Sequence, residues 1–210
     1  MSRYHFLTET YETEILKVLS VWSSFHDEDL LTRPHPTDKR GRSVREQMVH
    51  QCMSEDGWFK NMFGIDTGIS PLPESETRQG FIRRYAEAAG RRLAALQSRD
   101  DTWWEEEVSF FGASRSRAWI MVRRVAHTSH HRGQQMALLR MLNREVYSNY
   151  GPTADTGGLA VNQASVVYAY RDLRSLLDAG EKNPLPGRGS KPVSERPDGD
   201  RLSSVLPSTI

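Results

Sequence analysis

The stretch VAHTSHHRGQQ, Val125 to Gln135, gathers three of the chain's seven histidines, His127, His130 and His131, within five residues. A neutral imidazole nitrogen is a good ligand for zinc, nickel and related divalent ions. On an α-helix, residues i and i+4 are offset by about 40° and about 6 Å of rise, so His127 and His131 leave one face a turn apart. Two imidazoles so placed can bite one cation at metal–nitrogen distances of about 2.0–2.1 Å. His130 points about 60° to the other side of His127. It is a candidate to support the ligands or contact substrate, not to bind the ion.

The face around the pair has a pattern. Ile120, Arg124, His127, His131, Gln134 and Leu138 fall on one stripe at steps of four, three, four, three and four. Apolar ends and a polar middle describe the floor of a pocket inside a helix bundle. Arg124 is a candidate anchor for an anionic substrate, and Gln134 a polar neighbour of the ligands. Two readings stand: a metal pair, or buried histidines that only hydrogen-bond to neighbours. A metal site needs at least one further ligand. His5 lies at the N-terminus, and His26 and His35 border a connection. His50 alone lies inside an expected helix. There the apolar face is Val44, Met48, Cys52 and Phe59, and His50 points away from it with Ser54, Gly57 and Asn61, which places it in solvent. Cys52 projects about 160° from His50 and reads as a small buried hydrophobe. Glu55 and Asp56 are acids near the site in sequence and candidates for a general base, a role that spacing does not support. The residue after His127 is Thr128, so the H-E-x-x-H of metalloproteases is missing. G-x-S-x-G, P-loop and G-x-G-x-x-G patterns are missing too.

The elements that must position these residues are helices. Tyr11, Ile15, Val18, Trp22 and Phe25 make the apolar stripe of a first helix, about Thr8 to Phe25. HDEDLLTRPHPTDKRGR is a long connection. Ser43 and Glu46 form a capping box that opens a second helix, which runs to Phe63 with Gly64 as its stop. SETRQGFIRRYAEAAGRRLAALQ is a third, with Phe81, Tyr85, Ala89 and Leu96 as its stripe and its arginines toward solvent. DDTWWEEEVSFFGAS is an aromatic linker with room for a short extended piece. The fourth long helix, about Ser114 to Leu142, is apolar on nearly all sides and therefore central. After it come a loop that could fold over the pocket mouth, Asn149 to Leu159, and one more short helix within VVYAYRDLRSLLDAG. The expectation is all-α: a four-helix bundle over residues 1–180 with a short extra C-terminal helix. Residues 181–210 are rich in Pro, Gly, Ser and charge and read as a disordered tail.

The bulk numbers narrow the function. Basic and acidic residues number 28 and 27, a net charge of +1, which gives no support to a nucleic-acid partner. A single cysteine rules out an intrachain disulfide and suits a reducing compartment. No apolar core of signal-peptide length opens the chain, and no run of about 18 apolar residues occurs. The expectation is a cytoplasmic protein without a membrane partner.

Together, H-x-x-HHRGQ at His127–Gln134, VREQMVHQCMSEDGWF around His50 and the upstream FHDEDLLTRPHP resemble the DinB/YfiT-like superfamily over about residues 8–142. The resemblance implies an up-down-down-up four-helix bundle, usually dimeric, with a three-histidine divalent-metal site. Carried onto this chain, the ligands are His50, His127 and His131, which reverses the solvent placement of His50. The resemblance also implies a metal-dependent enzyme, with zinc or nickel as cofactor. It would transfer a low-molecular-weight thiol such as bacillithiol or mycothiol to a small electrophile, or act as a hydrolase. A non-catalytic, stress- or damage-induced metal-binding protein is the remaining class.

Overall fold

The structure is a computed structural model, and residues 2–186 are described. Its described residues divide into two units: residues 2–146 with 170–181, and residues 147–169 with 182–186. The first unit holds four long helices: α1 (His5–Ser24), α2 (Val44–Phe63), α3 (Arg78–Gln97) and α5 (Arg117–Met141). Between α3 and α5 lie a short α4 (Asp101–Glu105) and a hairpin of β1 (Glu107–Phe110) with β2 (Ala113–Ser116). A short α6 (Leu173–Leu177) follows and packs on α1.

Cross-helix pairs give the directions of the four helices. Glu14 of α1 meets Arg132 of α5, and Trp22 meets Gln135. Both numbers rise together, so α1 and α5 run parallel. Tyr11 and Tyr85 share Glu55, whereas Trp22 lies on Phe81, so α1 and α3 oppose each other. Arg45 pairs with Glu76 and Asp56 with Arg92, so α2 and α3 are parallel. His50 faces His131 while Ser54 bonds to Arg124, so α2 and α5 oppose each other. The bundle is therefore up-down-down-up. Parallel α2 and α3 need a connection that returns along the bundle, and residues 64–77 supply it.

Local chemistry sets the helix ends. Ser43 Oγ accepts from the Glu46 amide at 3.2 Å, and the Glu46 carboxylate accepts from the Ser43 amide at 2.8 Å. Gly64 closes α2 at φ 64°, a left-handed conformation that glycine adopts without a Cβ penalty. Every residue of the expected apolar stripes of α1, α2 and α3 is buried. The expected start of the last long helix at Ser114 is corrected to Arg117. Residues 113–116 spend their backbone groups on β1 instead, and Ser116 caps the helix by accepting from the Trp119 amide. The arginines of α3 do not all face solvent: Arg92 is 1 % exposed.

In the second unit, two 3-10 turns, Ala154–Thr156 and Ala160–Asn162, lie within the expected loop and beside it. The Ser148 amide bonds to the Val167 carbonyl at 2.8 Å, and the Asn183 amide to that of Ala169 at 2.9 Å. The expected tail from residue 187 onward lies outside the described residues. Among the described residues no helix is long and apolar enough to cross a membrane.

Candidate metal centre

Because α2 and α5 oppose each other, His50 is carried to the pair on α5. One ring nitrogen from each of His50, His127 and His131 lies within 4.8 Å of the others. The His127 and His131 Nε2 atoms are 3.2 Å apart. Two nitrogens on one ion at about 2.1 Å, at angles between octahedral and tetrahedral, stand about 3.0–3.4 Å apart. The spacing of the pair fits a shared ion. His50 is half-buried, with its ring 4.7 Å from His131 and 5.4 Å from His127. Its placement in solvent from α2 periodicity is thus corrected. The apolar face of α2 meets the core, while its adjoining polar face meets α5.

All three rings are held neutral. Burial pushes His127 down to about 3, helped by Arg124 and the neighbouring imidazoles. Burial takes His131 down to about 4, with His50 and His130 adding to it and a Gln134 hydrogen bond opposing. Burial, then Arg42 and Arg124, lowers His50. A neutral ring offers a lone pair where an imidazolium has none. The Nδ1 atoms of His127 and His131 are buried without a protein partner. Stacking holds the His127 ring in place: Trp58 lies 5.7 Å away at 26°. The residues present, three neutral imidazoles, fit a divalent metal ion.

The remaining candidates are placed differently. His130 is exposed, with its ring edge against His131 at 5.2 Å and its Nε2 2.9 Å from the Gln134 amide nitrogen. Gln134 is exposed as well. Arg124 is 1 % exposed and already engaged. It donates to Glu55 Oε2 at 3.2 Å, Ser54 Oγ at 3.1 Å and Thr128 Oγ1 at 3.1 Å, and lies 5.5 Å from the Trp58 ring centre. A guanidinium so occupied holds the bundle together, and a substrate anion would have to displace Glu55.

Glu55 is the hub of that cluster and is fully buried. Tyr11 and Tyr85 donate to it at 2.6 and 2.8 Å, and Arg92 at 3.3 Å. Burial alone would raise its carboxyl, but Arg124, Arg92 and the two phenols more than reverse this and hold it low. Arg92 also binds Asp56 at 3.1 Å. Neither acid is available as a base. Cys52 is buried, and its thiol is pushed up to about 12, first by burial and then by Glu55. It is no nucleophile at neutral pH.

Two residues near the site escape sequence reasoning. Trp58 lies in the run quoted around His50 but has no role assigned by spacing, and only the α2–α5 approach lays it on His127. Arg42 sits in a connection, exposed and without an ion pair among the described residues, and its charge is felt at His50 and His131. A cavity of about 520 Å³ lies elsewhere, lined by Ser2, His5, Leu96, Arg99 and Trp104 among others. None of the three clustered histidines lines it, so the chemistry and not the volume locates the centre.

An up-down-down-up four-helix bundle with three neutral imidazoles converging between its second and last long helices defines the class. The chain belongs to the DinB family, whose model matches residues 5–157. Two solved structures share the fold. One is a DinB-like protein from Bacillus cereus, with 18 % identity and TM-score 0.58, over 69 % of this chain and 95 % of that one. The other is YfiT from Bacillus subtilis, described as a probable metal-dependent hydrolase with an unusual four-helix bundle topology. It shows 16 % identity and TM-score 0.53, over 68 % of this chain and 90 % of that one. No curated protein matches the sequence.

Proposed function

We propose that this protein is a divalent-metal-dependent enzyme that transfers a low-molecular-weight thiol to a small electrophile. His50, His127 and His131 are its ligands, and zinc or nickel its ion. The observation that carries this reading is the convergence of three neutral imidazoles with, among the described residues, no fourth histidine, cysteine or acid in the group. Three protein ligands with a position to spare is the pattern of catalytic sites, whereas structural zinc sites use four. A divalent ion held there supplies Lewis acidity, which brings the pKa of a coordinated thiol or water close to neutrality.

The chain's own residues favour a thiol as the nucleophile. Hydrolysis of an ester or amide asks, beyond the activated water, for a group that protonates the departing oxygen or nitrogen. Glu55, the acid that sequence proximity offers, has its oxygens filled by Tyr11, Tyr85, Arg92 and Arg124. A thiol gives up its one proton before attack and needs no such partner. Arg42 supplies an exposed positive charge for a carboxylate or phosphate on the thiol carrier. Burial keeps the three ligand rings unprotonated at neutral pH, ready for the ion.

Hydrolysis is the second reading, favoured by the description of YfiT as a probable metal-dependent hydrolase. One experiment separates the two. Protein reconstituted with zinc or nickel is given a low-molecular-weight thiol with a chlorodinitrobenzene, and separately an activated ester or amide. Metal-dependent loss of thiol with conjugate formation is expected. Metal-dependent ester or amide cleavage without conjugation would replace thiol transfer by hydrolysis. Metal binding without turnover in either assay would leave only the non-catalytic reading.

A further inference from the structure

The hairpin between α4 and α5 has a tip that is costly to make. Phe110 and Ala113 pair, so Phe111 and Gly112 alone form the turn. Both have positive φ, 50° and 87°. Turns of this kind take Asn-Gly or Gly-Gly, because an L side chain other than Asn or Asp is strained there. Here the strained position carries a phenylalanine that is 77 % exposed. Neither a good turn nor burial explains it, and strain kept at an exposed position points to use.

The tip continues a file of rings that begins at the metal centre. Trp58 stacks on His127 at 5.7 Å. Phe110 meets Trp58 edge-on at 5.2 Å, and Phe111 meets it at 6.1 Å. Trp119, 40 % exposed, closes on Phe110 at 5.3 Å. Arg124 lies against Trp58 and Arg115 against Trp119, at 5.5 and 5.3 Å, so the rings are held by cations at two points. A rigid aromatic wall running from a ligand imidazole to solvent is suited to a flat apolar group.

We propose that Trp58, Phe110 and Phe111 form the substrate-binding wall of the centre and select electrophiles that carry a planar aromatic group. This rests on the reading of the histidine cluster as the reactive centre.

The test uses the full chain and two unreactive probes, naphthol and cyclohexanol, titrated by NMR with and without zinc. The variants are Phe111→Asn and Trp58→Leu. Phe111→Asn creates the preferred Asn-Gly turn, so it should fold with an unchanged or higher melting temperature. The expected result is naphthol binding about three- to tenfold weaker in each variant, the range a lost ring contact produces. Cyclohexanol binding should be weaker than naphthol binding in the wild type and unchanged in the variants. Unchanged naphthol binding in Phe111→Asn would overturn the proposal. So would a melting temperature lowered by several degrees, which would make the ring a packing element. Dissociation of an oligomer by Phe111→Asn with naphthol binding intact would make the tip a contact between copies, and would also overturn it. Zinc titration of the same samples keeps the two readings apart. Ring-dependent naphthol binding without zinc binding would sink the metal centre alone, and the converse would sink the wall alone.

Discussion

Replacing Glu55 by Gln would test the load on the buried cluster beneath the histidines. Gln keeps the shape and one acceptor oxygen but removes the charge. Glu55 is 0 % exposed, and Arg92 and Arg124 are each 1 % exposed. Arg92 would keep Asp56 as a counter-charge at 3.1 Å. Arg124 would keep only neutral partners, among them the Ser54 and Thr128 hydroxyls and the Trp58 ring, and so would become a buried cation without an anion. Removing one partner of a buried pair destabilises by about 3–5 kcal/mol. In a domain of this size about 1 kcal/mol moves the melting temperature by 2–4 °C. The expected fall is therefore about 6–20 °C, measured by circular dichroism on metal-free protein. Glu55→Gln combined with Arg124→Gln should lose less than the sum of the single changes, because the second removes the stranded cation. A fall below about 2 °C for Glu55→Gln would refute the reasoning, since it would mean that water reaches the cluster.

Further outcomes are expected from the same physics. Elemental analysis should find roughly one divalent ion per chain, most of it lost in His127→Ala or His131→Ala and kept in His130→Ala. Excess zinc at about 100 times Kd should stabilise the wild type by about 2.7 kcal/mol, and His50→Ala should show little of that shift in a melting scan. The Glu55 carboxyl is held below its ordinary value of 4.5 in the folded protein. Its ionised form thus stabilises fully above that pH, and the contribution is lost as pH falls through the lower folded value. In urea titrations across acid pH, the stability gap between wild type and Glu55→Gln should shrink below about pH 4.5. A constant gap would deny the shift. Ser43→Ala removes one half of a capping box and should lower stability by about 1 kcal/mol in urea unfolding.

How far the sequence discloses this protein depends on the kind of signal. The apolar stripes of α1, α2 and α3 are local and periodic, and each buries as its spacing predicts. The capping box at Ser43 and the stop at Gly64 are local chemistry, and both are present. The i, i+4 pair on α5 needs only helix geometry to bring its rings together. What fails is whatever depends on a partner element. The hairpin at 107–116 is too short to show a period, and it takes three residues from the expected start of α5. Arg92 and Arg124 read as solvated or substrate-binding because their counter-charge, Glu55, lies on another helix. Trp58 and Arg42 reach the site only through tertiary approach.

His50 shows why a single apolar face is an incomplete guide. Periodicity assigns a helix one inside and one outside, but α2 packs against α3 on one side and α5 on the other. The part of its polar arc that holds His50 and Ser54 therefore faces α5, and a polar side chain placed inside must find a partner or become expensive to bury. Glu55, five residues on and turned to the side of Cys52 and Phe59, finds two phenols and two guanidiniums, and its oxygens are filled. The histidines meet one another instead. Imidazoles held neutral at 3.2 Å, nitrogen to nitrogen, with buried Nδ1 atoms that bond to nothing in the protein, gain little from that company. Neutral imidazoles gathered with one ring nitrogen each within 4.8 Å of the others are stabilised once a cation binds among them. The bundle builds a closed charge cluster around Glu55 and an open nitrogen cluster around His50, five residues apart on α2, and the open one is where chemistry can enter.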